Sequence, residues 1–111
     1  MGRLSYDGVE KLEIDDRALA HLQLVIGSKL RRGESFLFTW RPDTSLGGGR
    51  VSVWMHPHAS LVFRFAGSRP PRINRAWAEA MMNAANSPAG LSLVPEPPEP
   101  TPGADSGESS L

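Results

Sequence analysis

The chain has 111 residues, 12 Lys and Arg against 12 Asp and Glu, and no cysteine. That length implies one domain with one modest core and excludes a multidomain enzyme, since a body of about 90 residues buries roughly 60–70% of its unfolded surface. Without cysteine there are no disulfides, thiolate nucleophiles or Cys-based zinc sites, so stability rests on packing.

Charge is unevenly spread. Residues 1–94 hold all 12 basic and eight acidic groups, whereas residues 95–111 hold four acidic groups and no basic one. The opening Met1-Gly2-Arg3-Leu4-Ser5-Tyr6-Asp7 lacks the apolar stretch of a secretory signal, and no run approaches the roughly 18 apolar residues of a membrane span. Cytoplasmic placement, with no membrane contact, is the expectation.

In chain order, Arg3–Tyr6 and Val9–Ile14 flank Asp7-Gly8, a dipeptide that tolerates positive φ and predicts a hairpin. A strict two-residue loop would place Leu4, Tyr6 and Val9 on one face and Leu12 and Ile14 on the other. A bulge or longer loop is therefore predicted. Asp15-Asp16 supplies a cap, and Leu19, Leu22, Ile26 and Leu30 recur at helical spacing, predicting a helix over 16–32. Lys29, Arg31 and Arg32 complement its carboxyl-terminal dipole, and Gly33 is suited to the position just past its end.

Three stretches with period-two alternation follow, 35–41, 50–56 and 60–66, predicting strands in an antiparallel meander. Phe36, Phe38, Trp40, Val51, Val53, Met55, Leu61, Phe63 and Phe65 share the apolar side. Asn74 is a predicted cap for a second helix carrying Trp77, Ala78, Met81, Met82 and Ala85 on one side, ending near Asn86. Residues 91–94 form a short final strand or an extended segment. The order ββαβββα, with that optional last strand, gives an α+β fold with both helices on one face of the sheet. The domain spans 1–94. Residues 95–111 contain five prolines and only Ala104 and Leu111 as apolar side chains, so they are predicted to be a disordered acidic tail.

The blocks Asp15-Asp16-Arg17-Ala18-Leu19-Ala20-His21-Leu22-Gln23, Lys29-Leu30-Arg31-Arg32-Gly33-Glu34-Ser35-Phe36, Trp54-Met55-His56-Pro57, Phe63-Arg64-Phe65 and Ala85-Asn86-Ser87-Pro88-Ala89-Gly90-Leu91 resemble a family of small actinobacterial proteins of unknown function. The resemblance covers residues 1–94 and suits the preference for Arg over Lys, ten to two. It implies no activity and no site residues. Some proteins similar to this one carry the name ATP-dependent DNA ligase, and ligases of that kind take AMP on the lysine of a K-x-D-G motif in a much longer fold. Here Asp-Gly occurs in Ser5-Tyr6-Asp7-Gly8, with serine at the lysine position. Lys11 and Lys29 lie in Lys11-Leu12-Glu13-Ile14 and Lys29-Leu30-Arg31-Arg32, neither a match.

Other catalytic patterns also fail. Gly47-Gly48-Gly49-Arg50 joins two strands, whereas a phosphate-binding loop requires G-x-x-x-x-G-K-[ST] between strand and helix. His56-Pro57-His58 offers two imidazoles where a metal site needs three or four ligands, with His21 the remaining histidine. No serine lies in a G-x-S-x-G elbow, and Asp15-Asp16 is accounted for by capping. No enzyme activity, cofactor or metal is predicted.

The alternation that sends Phe and Val inward sends Thr39, Arg41, Arg50, Ser52, Trp54, His56 and Arg64 outward. If both helices pack on the apolar side, Arg41, Arg50, Trp54, His56 and Arg64 form a basic, aromatic candidate binding surface for a protein partner. Base stacking with phosphate contact is the alternative, an accessory role beside DNA ligase or repair functions. A third reading covers Trp54 with the N-terminal hairpin or the Pro70-Pro71 segment and leaves the arginines merely solvated. Partner identity and oligomeric state are not encoded in these patterns.

Overall fold

The computed structural model describes residues 1–42 and 49–99. The glycine-rich stretch 47–48 of the loop weighed above, and residues 100–111 of the acidic tail, lie outside the described residues. Strands β1 (Gly2–Tyr6) and β2 (Glu10–Ile14) pair antiparallel with Tyr6 opposite Glu10 and Leu4 opposite Leu12. The loop is therefore the longer one, Asp7-Gly8-Val9. Asp7 and Gly8 take φ values of 52° and 72°, and the Val9 amide donates to the Tyr6 carbonyl at 3.0 Å. The odd residue is Val9, left 76% exposed, and removing it from the pairing lets Leu4 and Leu12 enter the core together.

Helix α1 (Asp16–Arg31) starts at Asp15, whose carboxylate accepts from the Ala18 amide. Asp16 is thereby free to accept from the amides of Ala66 and Gly67 at 3.0 and 2.8 Å, which holds its carboxyl below the ordinary range. At the other end Gly33 takes a φ of 75°, as a residue just past a helix commonly does. Lys29 does more than complement the dipole: it is buried, with Nζ on Asn86 Oδ1 at 2.5 Å and Glu34 Oε1 at 3.1 Å.

Strands β3 (Phe36–Trp40) and β4 (Val51–Met55) pair as the alternation requires, with Phe36 opposite Met55 and Phe38 opposite Val53. The meander stops there. Strand β5 (Leu61–Arg64) leaves β4 and pairs with β1, Leu4 opposite Phe63 and Tyr6 opposite Leu61. Helix α2 (Arg75–Ala85), capped by Asn74, then leads to β6 (Leu91–Ser92), which pairs parallel to β3. The result is two three-stranded sheets, β2-β1-β5 and β4-β3-β6, in an α+β fold with the expected element order.

The redirection of β5 has a local cause. The Ala59 amide closes a turn on the His56 carbonyl, and Ser60 is then captured by the first hairpin. Asp7 N–H donates to Ser60 O at 2.8 Å, and Ser60 N–H donates to Asp7 Oδ1 at 2.8 Å. On β3, Gly90 presses against the edge left free: its φ is 88°, and a Cβ there would strike the Leu37 carbonyl.

Both sheets and both helices share one core. Leu4 and Leu12 of the first sheet, Phe38, Met55 and Leu91 of the second, Leu19, Leu22 and Ile26 of α1 and Trp77 and Met81 of α2 are all buried in the same cluster. Residues 95–99, grouped by composition with the tail, lie instead along the body, because Glu96 and Glu99 find Arg17 and Arg72. Charge pairing supplies what their apolar content lacks.

Candidate interaction surface

Strand alternation fixes what the β4-β3-β6 sheet shows on the side away from its core. Trp54 on β4 lies opposite Leu37 on β3. Ser52, Thr39 and Ser92 form the next row across the sheet, with the Thr39 and Ser52 hydroxyls 2.7 Å apart. Arg41 and Arg50 follow just beyond β3 and β4. Both are exposed, and with Thr39, Trp40, Ser92 and Leu93 they line a shallow depression of about 340 Å³. Neither arginine has a hydrogen bond or ion pair among the described residues.

Trp54 is 55% exposed, so its ring contributes little to the core. Its backbone is nevertheless held: β4 pairs with β3, and the Tyr6 hydroxyl donates to the Trp54 carbonyl at 2.7 Å. Burial, with Asp7 adding to it, raises the pKa of that phenol, which keeps the donor proton in place. Neither the N-terminal hairpin nor the Pro70-Pro71 segment buries Trp54.

The predicted surface is only partly assembled. Arg41, Arg50, Trp54 and His56 come from β3, β4 and their ends. His56 follows Trp54 by two residues, is half-buried, and accepts the His58 amide on Nδ1 at 3.2 Å. Arg64 does not join them. It sits on β5 in the other sheet, opposite Arg3, whose guanidinium pairs with Glu13 at 2.6 Å. Its separation follows directly from the pairing of β5 with β1.

A second polar cluster went unrecognised in the sequence. His21, fully buried, donates from Nδ1 to the Arg17 carbonyl at 2.7 Å and accepts the Asn74 amide on Nε2 at 2.8 Å. Its ring lies 4.6 Å from that of Trp77. Asn74 caps α2 through Oδ1 and donates from Nδ2 to Glu96 and to the Pro97 carbonyl, both at 2.9 Å. Arg17 grips Glu96 with Nε and Nη2 and donates from Nη1 to the Arg72 carbonyl. The guanidinium first, then Asn74, lowers the Glu96 pKa to about 2. No open valence remains for a ligand, so the cluster is structural. Its members are spread from position 17 to position 97, and no local spacing could have revealed them.

Among the described residues no group of three or more His, Asp or Glu is placed to hold a metal, and no helix is long and apolar enough to cross a membrane. The outer face of β4-β3-β6 offers an aromatic ring, a row of hydroxyls and two guanidinium groups. These are means of recognition through contact and charge. No curated protein matches the chain, and no solved structure does. A family model does match, over residues 1–96, and its end coincides with the Glu96 clasp. The chain belongs to the family described as Domain of unknown function (DUF7882).

Proposed function

We propose that the domain is a non-catalytic cytoplasmic binding module that meets a protein partner through the outer face of the β4-β3-β6 sheet. Trp54 is the anchor, and Arg41 and Arg50 supply the charge. The observation that carries this reading is the Trp54 side chain, more than half exposed on a backbone braced by β3 and by Tyr6. A large ring carried on a backbone fixed before contact adds little backbone ordering cost on binding, which suits an interface anchor. With Arg64 on the other sheet, this face keeps two arginines and lacks the basic stripe that tracks a phosphate backbone. The non-enzymatic reading draws support from the fate of the ligase-like residues. Asp7-Gly8 forms the hairpin loop, and Lys29 is engaged by Asn86 and Glu34.

The test is Trp54→Ala in a capture experiment from native lysate, with and without nuclease. A nuclease-resistant protein partner should bind the variant about 2 kcal/mol more weakly, roughly 30-fold. Binding that vanishes with nuclease would assign the face to nucleic acid, and unchanged binding by Trp54→Ala would remove the anchor.

A further inference from the structure

A groove of about 670 Å³ runs along the exposed side of α1, lined by Ala20, Leu24, Gly27 and Arg31 from the helix and by Arg69 and Ile73 from the connection between β5 and α2. Leu24 is 45% exposed and Ile73 41%, so its walls present large apolar side chains to solvent. The wall opposite the helix is tied at both ends. Asp16 accepts the Ala66 and Gly67 amides at one, and at the other Arg17 donates to the Arg72 carbonyl at 2.6 Å and the Asn74 amide to His21 Nε2 at 2.8 Å. Pro70 and Pro71 stiffen the stretch between. The groove therefore exists before anything enters it, which lowers the ordering cost of binding.

Two observations say what it fits. The first is Gly27, inside α1, where glycine is the least favourable residue after proline. A Cβ at Gly2 or Gly90 would strike Leu19 or Leu37, but one at Gly27 would meet nothing within 4 Å, and the backbone there has no left-handed φ. The fold has no need of this glycine, and what the missing side chain leaves is open space in the groove between Leu24 and Arg31. The second is charge. No acidic residue lines the groove, while Arg31 and Arg69, both exposed, have no hydrogen bond or ion pair among the described residues. From Ala20 to Arg31 the helix wall runs about 17 Å at 1.5 Å per residue, the length of about five residues of extended chain at 3.3 Å each. An open trough of that length suits a segment of chain better than a compact ligand, which a pocket would enclose.

We propose that this groove is a second docking site, which takes an extended acidic segment of a partner protein with apolar side chains at alternate positions. In an extended segment successive side chains point to opposite sides. The apolar ones enter between Leu24 and Ile73 over Gly27, and the carboxylates turn to the guanidinium groups of Arg31 and Arg69, which take carboxylates in charge-assisted and bidentate hydrogen bonds. The site shares no residue with the outer face of β4-β3-β6, so the two readings stand or fall separately.

The test is a titration of the 15N-labelled full-length chain with the end-blocked peptide Glu-Leu-Glu-Phe-Glu. The amide resonances of Leu24, Gly27 and Ile73 should shift and saturate with a Kd at or below about 1 mM, while those of Ser52 and Trp54 stay in place. Lys-Leu-Lys-Phe-Lys and Glu-Ser-Glu-Ser-Glu, each keeping one half of the chemistry, should bind at least roughly fivefold more weakly, and so should Glu-Leu-Glu-Phe-Glu to Arg31→Gln/Arg69→Gln. Gly27→Leu should fill the groove and abolish binding. Gly27→Ala should raise the Tm, as expected where a helical glycine serves no packing need. The proposal is overturned by the absence of saturable shifts at these amides, by equal binding of either control peptide, by binding that survives the arginine or the leucine substitutions, or by a lower Tm for Gly27→Ala. Shifts at the same amides on raising the protein concentration alone would overturn it too, since the occupant is then a second copy.

Discussion

Where α1 and α2 begin, Arg17, His21, Asn74 and Trp77 have their side-chain polar groups engaged, whereas on the outer face of β4-β3-β6 the side chains of Arg41, Arg50 and Trp54 have no hydrogen bond, ion pair or ring contact among the described residues. Both regions join arginine to tryptophan. In the first, Trp77 is buried against His21 and its indole N–H reaches the Val94 carbonyl at 2.9 Å. In the second, the ring stands in solvent on a fixed strand. The same residue types thus hold the fold together in one place and remain available in the other, and what separates them is whether their polar groups are already spent.

Substitutions should divide along that line. Trp77→Ala should cost about 3–5 kcal/mol in chemical denaturation, the usual penalty for truncating a buried aromatic, and would leave the Val94 carbonyl unpaired. If it cost under 1 kcal/mol, the contrast with Trp54 would collapse. Asn74→Ala removes a helix cap together with the bonds to Glu96 and Pro97, and a loss of about 2 kcal/mol is expected by the same measurement.

Acid sharpens the comparison further. The folded Glu96 pKa, about 2, lies below its ordinary value of 4.5, so the carboxylate stabilises the fold above pH 4.5 and loses that contribution as pH falls towards 2. Glu96→Gln should therefore be less stable than the native chain at neutral pH, with the gap in melting temperature closing through that window. A gap independent of pH would mean that Arg17 does not depend on the charge of Glu96.

Trp54→Ala should have the smallest effect on stability, within about 0.5 kcal/mol, as surface substitutions do. A cost near that of Trp77→Ala would place Trp54 among the structural residues and end its candidacy as an anchor.

Local signals determined much of this protein. Asp15 and Asn74 begin helices because a short polar side chain can satisfy amides two or three residues on, and that is a property of the local sequence. The three-residue loop at Asp7-Gly8-Val9 followed from the need to bury Leu4 with Leu12. Alternation identified β3, β4 and β5 and the faces of their side chains, which is why the side-chain row of Trp54, Arg41 and Arg50 was legible.

Only the tertiary structure decided which edges meet. A period of two marks an apolar face but is silent about the strand's neighbour, and two hydrogen bonds between Asp7 and Ser60 help turn β5 to β1, carrying Arg64 away from the candidate surface. Composition likewise marked residues 95–99 as tail, since they have almost no apolar surface. Their attachment comes from Arg17, 79 positions before Glu96, and from Asn74, groups whose proximity exists only once α1 and α2 have packed together. Caps, turns and alternation act over a few residues and can be read from sequence. Edge choice and distant ion pairs depend on the folded arrangement of groups far apart along the chain.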